Sequence, residues 1–289
     1  MIQRERSPPA VHLAPDNPAF RGAPGCKACA IRSAGLCRAT RHKGASSAGA
    51  PPLRSYDRGK LIVQQGALPG FLGVIRRGCA RRSNLRINGK RILLGLAVPG
   101  EIVGGFPDQP SACDLEAATD LEICIYDHNT LKRLLSENRS FRKLLLREIE
   151  TQYHRFLEGI WRYGTLDSRE RIIAFLLRAT EYMPTEPLPD GSLVLTMEIE
   201  RRDWADLTNT AVETISRTLR YLEENALLTS ISPYRFRIHD LNRLASIAGV
   251  EPPLRQRLGR RAGNSGKPPP DREIPRADDS RQCGAVLRN

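Results

Sequence analysis

The chain has no long apolar run. Its longest, such as the IIAFLL stretch from Ile172 to Leu177, falls far short of the ~20 residues that cross a bilayer as a helix, which argues against a helical membrane protein. The first residues, MIQRERSPPAVHL, carry charge but no apolar h-region, so a secretory signal is not expected and the cytoplasm is the expected compartment. Acidic residues are also in deficit. Lys and Arg number 45 against 32 Asp and Glu, which leaves a formal net charge of +13 and a pI of about 9.8. Such a balance suits a polyanionic partner, although part of the excess lies in the two ends, where charge runs are commonly solvated tails. Also missing are a nucleotide-binding loop, a nucleophile–base pair, a paired set of carboxylates and a second cysteine quartet. The sequence therefore does not read as an enzyme.

Seven cysteines are present. An odd count without an export signal disfavours a disulfide framework and favours metal or redox chemistry for any clustered subset. Cys26, Cys29 and Cys37 cluster as C-x2-C-x7-C in CKACAIRSAGLC, inside a segment too short and polar to form a core. Thiolates at this spacing can grip one metal centre, with zinc and iron–sulfur clusters the two ordinary occupants. Spacing alone leaves both open, and His42 is a further candidate ligand in the zinc reading. Cys79, Cys113, Cys124 and Cys283 are scattered.

Along the chain, residues 1–25 are Pro-rich and aperiodic and are expected to be disordered. Residues 26–52 hold the cysteine segment and a small-residue basic linker. From 53 to 137 short β-like runs alternate with turn signals, among them Asn88-Gly89 for a tight hairpin; a small antiparallel barrel or sandwich is expected. Helical periodicity follows. Leu145, Ile149, Gln152, Phe156 and Tyr163 lie close to a heptad seam over 138–164, which fits equally a helix packed on its own domain and a dimer helix. Asp167 and Glu170 form a candidate capping box for a helix whose inward face is Ile172, Ile173, Leu176 and Leu177. MPTEPLPDG at 183–191 reads as a loop. Residues 250–289 hold too few large apolar residues to offset the entropy of ordering and are expected to be disordered.

The most informative segment is TMEIERRDWADLTNTAVETISRTLRYLEENALL (196–228), within a domain spanning 165–249. Two short helical patterns flank Thr208-Asn209-Thr210, and Asn tolerates the left-handed backbone that a helix-turn-helix corner needs. Val212, Ile215, Leu219 and Leu222 form one stripe of the second helix, and Glu213, Ser216, Arg217 and Arg220 form another. The second stripe presents an acceptor, a hydroxyl and two guanidinium forks, a set able to read base edges in a major groove. An ordinary surface helix with a Glu213–Arg217 ion pair is the plainer alternative. ISPYRFRIHDL reads as a basic β-hairpin, a wing suited to phosphates.

The stretch AVETISR (211–217) resembles the recognition helix of the CRP/FNR family of bacterial transcription regulators. The likeness continues over RRDWADLTN, over the SRERIIAFLL helix and the long helix before it, and over Pro99-Gly100-Glu101-Ile102-Val103-Gly104, which is similar to the turn of the family's β-roll. It spans about residues 55–249 plus the cysteines. It implies an α+β fold: a cyclic-nucleotide-binding-like β-roll, a long dimerisation helix and a C-terminal winged helix-turn-helix. It also implies a homodimer on double-stranded DNA, with RNA polymerase as a partner. Glu213, Ser216 and Arg217 match the base-reading positions of the FNR/FixK branch, with Thr214 and Arg220 beside them, and the implied operator is a TTGAT–N4–ATCAA-like palindrome. Trp204, Asn209 and Thr210 depart from the usual Ile, Gly and Leu, which bears on the angle between the two helices.

Cyclic nucleotide binding is not expected, because Gly105 and Ser111 stand where the family's ribose-binding Glu and phosphate-binding Arg would fall, and a buried phosphate needs its cation. The cysteine spacing is instead similar to oxygen sensors of this family that hold a [4Fe–4S] cluster with a fourth Cys from the roll. In LEICIYD, Cys124 alternates out of phase with Leu121, Ile123 and Ile125, whereas Cys113 runs in phase with Leu115 and Ala117. Cys124 is thus the expected fourth ligand, in agreement with the family's position. The resemblance further implies that oxygen destroys the cluster, weakens the dimer and releases the operator. HKGASSAGAPP stands where those sensors carry a short helix.

Overall fold

Alternating apolar residues in the first half of the chain close a β-roll. The computed structural model describes residues 29, 31, 35–37, 51–85 and 91–253. The strands are β1 (Leu53–Tyr56), β2 (Leu61–Val63), β3 (Phe71–Arg77), β4 (Ala80–Leu85), β5 (Arg91–Ala97), β6 (Ile102–Gly104), β7 (Asp114–Ala117) and β8 (Leu121–Asp127). They form two four-stranded sheets, in the orders β1-β8-β3-β6 and β2-β7-β4-β5, with antiparallel pairing throughout. Val63, Phe71, Ile75, Leu115, Leu121, Ile123 and Ile125 fill the space between them. The turn from β3 to β4 needs Gly78, whose φ is +77°; a Cβ there would lie 2.1 Å from the Asp120 carbonyl oxygen, so only glycine fits. Residues 86–90, with the expected Asn88-Gly89 turn, lie outside the described residues, as do 38–50 and the two ends.

The helical pattern after the roll resolves into two helices. α1 (His128–Glu137) is capped by Asp127 and α2 (Arg139–Thr165) by Asn138, whose side chain accepts from the Phe141 backbone N–H at 2.9 Å. Asn138 is extended, which breaks what the periodicity presents as one run. α2 has 27 residues, about 40 Å of rod at 1.5 Å per residue.

The outer face of the β1-β8-β3-β6 sheet is apolar as well. Leu72, Val74, Ile102 and Tyr126 form a second core there with Leu131 and Leu134 of α1 and Phe141 and Leu145 of α2. Tyr126 and Phe141 meet edge to face, with ring centroids 5.9 Å apart. Leu36 of the cysteine segment is fully buried in this core.

The C-terminal part contains α3 (Ser168–Ala179), β9 (Thr185–Pro187), β10 (Leu193–Thr196), α4 (Arg201–Thr208), α5 (Val212–Glu224), β11 (Leu228–Ser232), β12 (Arg235–Ile238) and α6 (Leu241–Ile247). The Asp167–Glu170 capping box is present, and Ile172, Ile173, Leu176 and Leu177 all face inward. The segment expected to be a loop at 183–191 contains β9, which pairs with β10 in the sheet β11-β12-β10-β9. Val250 packs against this core, so ordered chain runs past residue 249. Cys79 and Ala118 of the roll belong to the same buried cluster, and the two halves share one interior there.

Leu36→Ala is expected to lower the unfolding free energy by about 2–5 kcal/mol through loss of contacts and the cavity left behind. Denaturant titration of the full chain would show this as a lower midpoint at unchanged slope.

Candidate DNA interface and cysteine site

α5 presents the two faces that its spacing predicts. Ile215, Leu219 and Leu222 are buried, joined by Thr218; Val212 at the first turn is exposed instead. Glu213, Ser216, Arg217 and Arg220 are all exposed, and Thr214 is half-buried. The Ser216 hydroxyl donates to the Val212 carbonyl at 3.2 Å, a bond it can exchange by rotation. No ion pair recorded among the described residues involves Glu213, Arg217 or Arg220, so the surface-helix reading loses its Glu213–Arg217 bridge.

The corner before α5 turns at Asn209, whose φ of 48° and ψ of 52° are left-handed, as the Thr-Asn-Thr sequence predicts. Trp204, in place of a smaller residue, is fully buried between Phe175 and Phe236, with ring centroids 5.9 and 6.1 Å away. The Arg201 guanidinium lies over it at 4.9 Å, a cation–π contact. In the wing, Arg235 pairs with Glu186 at 3.0 Å and Arg237 with Asp190. Hydrogen bonds from Ser192, assisted by Arg237, hold the Asp190 carboxyl down to about 2, so it stays ionised wherever the protein is folded near neutrality. The wing's arginines are therefore already bound to acids, and the basic hairpin is less open to phosphates than its sequence suggests.

The cysteines divide by environment. Leu121, Ile123 and Ile125 point into the roll and Cys124 points away, as the alternation predicts. That outer face is not polar, however: Tyr126, two residues on, is buried in the second core. Cys124 sits directly opposite Val74 of the same core, against which Cys37 also packs. The structure thus brings Cys37 and Cys124 to one apolar face. Cys29 is half-buried, and Cys26 lies outside the described residues. Among the described residues, no group of three Cys, His, Asp or Glu side chains is gathered as a metal site. Cys79 is buried and its thiol pushed up to about 12, mainly by desolvation, as fits a structural residue. Cys113 lines the roll cavity, where burial raises its pKa.

That cavity measures ≈350 Å³ and is lined by Gly105 and Ser111 together with Arg82, Cys113 and Gln152. A Cβ on Gly105 would come within 2.7 Å of Pro69 Cγ, so an acidic side chain could not enter there without a shift. Arg82, which sequence reasoning passed over, is engaged by Glu101 at 3.4 Å and by the Ile102 carbonyl at 3.1 Å.

The expected heptad seam holds in part. Leu145 is buried against the chain's own roll and Gln152 donates to the Ile102 carbonyl at 3.2 Å, so neither faces outward. Ile149 and Phe156 are exposed, in an apolar stripe with Leu146, Tyr153, Leu157, Ile160 and Trp161.

A charged seam joining the roll to α4 has no local sequence signature. Asp203 is fully buried; Arg91 lies 3.1 Å and Arg81 3.4 Å from its carboxylate. Both arginines also face Glu116, at 3.8 and 3.4 Å, and Arg58 pairs with Glu200 at 2.8 Å. Burial raises the Asp203 pKa while Arg81 and Arg91 oppose the rise.

A β-roll joined through a long helix to a winged helix-turn-helix defines the class of one-chain DNA-binding regulators. Residues 53–138 match the cyclic nucleotide-binding domain family, and residues 170–247 match the Crp-like helix-turn-helix domain family. The chain belongs to the CRP/FNR family of transcription regulators, which are DNA-binding proteins and not enzymes. Transcriptional activator protein FnrL of Cereibacter sphaeroides is 23% identical over 227 residues, 78% of this chain and 92% of its own. The nitrogen fixation regulation protein FixK of Bradyrhizobium diazoefficiens is 24% identical over 220 residues, covering 71% of this chain and 86% of its own. The solved structure of FixK2 from Bradyrhizobium japonicum superposes with a TM-score of 0.61 at 18% identity, over 67% of this chain and 95% of that one. No helix among the described residues is long and apolar enough to cross a membrane.

Asp203→Ala leaves Arg81, itself buried, with Glu116 alone in place of two carboxylates. Removing one partner of such a buried pair costs about 3–5 kcal/mol, which urea unfolding monitored by tryptophan fluorescence would measure.

Proposed function

We propose that the chain is an oxygen-responsive transcription regulator that dimerises through α2 and reads a TTGAT–N4–ATCAA-like palindrome. In this reading Glu213, Ser216 and Arg217 contact base edges, flanked by Thr214 and Arg220, and Cys26, Cys29, Cys37 and Cys124 hold a [4Fe–4S] cluster. The observation that carries it is the position of Leu36. It anchors the cysteine segment in the core that α2 shares with the outer face of β8, and it sets Cys37 on the face that bears Cys124. The donor set of thiols beside an apolar, partly shielded surface suits such a cluster. When bound, the cluster supplies a reactivity toward oxygen that the chain's own side chains lack.

The protein's own part is mechanical. Gly35, at φ +44°, is pressed so close to Glu148 of α2 that a Cβ there would lie 2.8 Å from the carboxylate oxygen. Leu36 then touches the core built on Phe141 and Leu145. Any rearrangement of the thiols therefore bears on the first turns of the helix that exposes the apolar stripe from Leu146 to Trp161. A stripe of seven large side chains on one helix is far more than scattered surface residues would present, and a second copy of α2 is its natural cover. Cyclic nucleotide is not the expected effector, since the roll cavity has Gly105 and Ser111 at the decisive positions and its Arg82 is already bound to Glu101. RNA polymerase is the further partner expected from the family.

Reconstitution with iron and sulfide under argon tests the ligand set. Cys124→Ser is expected to lose most of the bound iron and sulfide and the visible absorbance, whereas Cys113→Ser keeps them. Equal retention in both variants, or zinc alone on metal analysis, would contradict the cluster. Ile160→Glu, which introduces like charges into the stripe, is expected to shift the protein from dimer to monomer in sedimentation, and an unchanged dimer would contradict the α2 seam.

A further inference from the structure

α3 carries one side chain that touches the end of the long helix and the corner of the helix-turn-helix at the same time. Arg171 donates from Nη1 to the Leu166 carbonyl at 2.7 Å and from Nε to the Thr208 carbonyl at 2.8 Å. Its Nη2 reaches the Ser168 hydroxyl at 3.2 Å and the Asn209 carbonyl at 3.4 Å. Leu166 is the C-cap of α2, and Thr208 and Asn209 are the last residue and C-cap of α4. These carbonyls have no partner within their own helices, since the last turn of a helix always leaves some unsatisfied. A planar guanidinium with five N–H groups in a fixed fork can hold several at once; an ammonium cannot.

The corner so held decides where α5 points. Asn209 adopts its left-handed conformation there, and Val212 opens α5 three residues later. Thr208 is buried, and its hydroxyl is bonded to the Trp204 carbonyl at 2.9 Å and to the Thr210 hydroxyl at 2.9 Å. The corner is therefore stiff in itself, and its link to α2 through Arg171 is direct and short. Phe175 of α3 also packs on Trp204 of α4, and the Arg169 guanidinium lies 4.1 Å over the Tyr221 ring of α5, but neither contact reaches α2's end.

We propose that Arg171 is a positioning residue for operator recognition. It fixes the orientation of α5 against the end of α2, and thereby sets the separation of the two recognition helices in a dimer. This rests on the palindrome reading above, in which two half-sites must meet two helices about one DNA turn apart. A residue of this kind governs the fit between half-sites rather than the contacts within one, which distinguishes it from a base-reading or a merely stabilising side chain.

The test uses the full chain, reconstituted under argon, with four duplexes. Three carry both half-sites at the spacing read above and at one base pair shorter or longer; the fourth carries a single half-site. The wild type is expected to prefer the matched spacing by about tenfold, the size of one poorly seated base pair per site. Arg171→Met and Arg171→Lys are both expected to bind the three spacings within about twofold of one another, while half-site affinity stays within about threefold of wild type. The lysine variant keeps the charge and covers the case in which the methionine variant fails to fold. Retained spacing discrimination in either folded variant overturns the proposal, as does a loss at the half-site equal to that at the palindrome. A wild type with no spacing preference overturns the palindrome reading, and the proposal with it.

Discussion

The burial of Phe141 and Leu145 of α2 against the outer face of the β1-β8-β3-β6 sheet is the contact on which the rest of the molecule depends. It makes one helix a wall of the β-roll at its start. The same helix keeps hold of the roll through Gln152 and Arg155, exposes a stripe of large apolar residues on another side, and ends at Leu166, to which Arg171 ties the helix-turn-helix corner. A rod with 27 residues is stiff along its length, because the backbone groups between its end turns are bonded within the helix. In the proposed reading, sheet, apolar stripe and α5 form one mechanical series.

Two further joints keep that series from being a loose chain of domains. Leu36 brings the cysteine segment into the α2 core, where a solvent-exposed attachment would leave the thiols mechanically silent. The Asp203 seam holds α4 to β4 and β5 through charges that are mostly out of water. Buried ion pairs contribute little net stability against an apolar replacement, but they tolerate only one geometry. That property suits an interface whose purpose is to fix an angle.

The parts of this arrangement that were legible in the sequence are those with local causes. The two faces of α5 follow from steps of three and four residues; the capping box follows from Asp167 and Glu170; the left-handed corner follows from Asn209. The phase of Cys124 against Ile123 and Ile125 follows from strand alternation. What was misread has non-local causes. Heptad spacing cannot say whether Leu145 meets a partner or its own roll. Acids at Glu186 and Asp190 neutralise wing arginines nearly fifty residues away, and β9 forms in a Pro-rich segment because β10 offers it an edge. Asp203 with Arg81 and Arg91 leaves no pattern at all, and a single Leu36 in a polar segment has no periodicity to betray its burial.

In the proposed function, thiol chemistry at one end of α2 governs DNA binding at the other. Fluorescence anisotropy of the full chain on a labelled palindromic duplex, first under argon after reconstitution and then after exposure to air, measures this directly. Tight binding under argon is expected to fall by at least an order of magnitude as the visible absorbance bleaches. Binding of equal strength before and after air, with the absorbance gone, would contradict it.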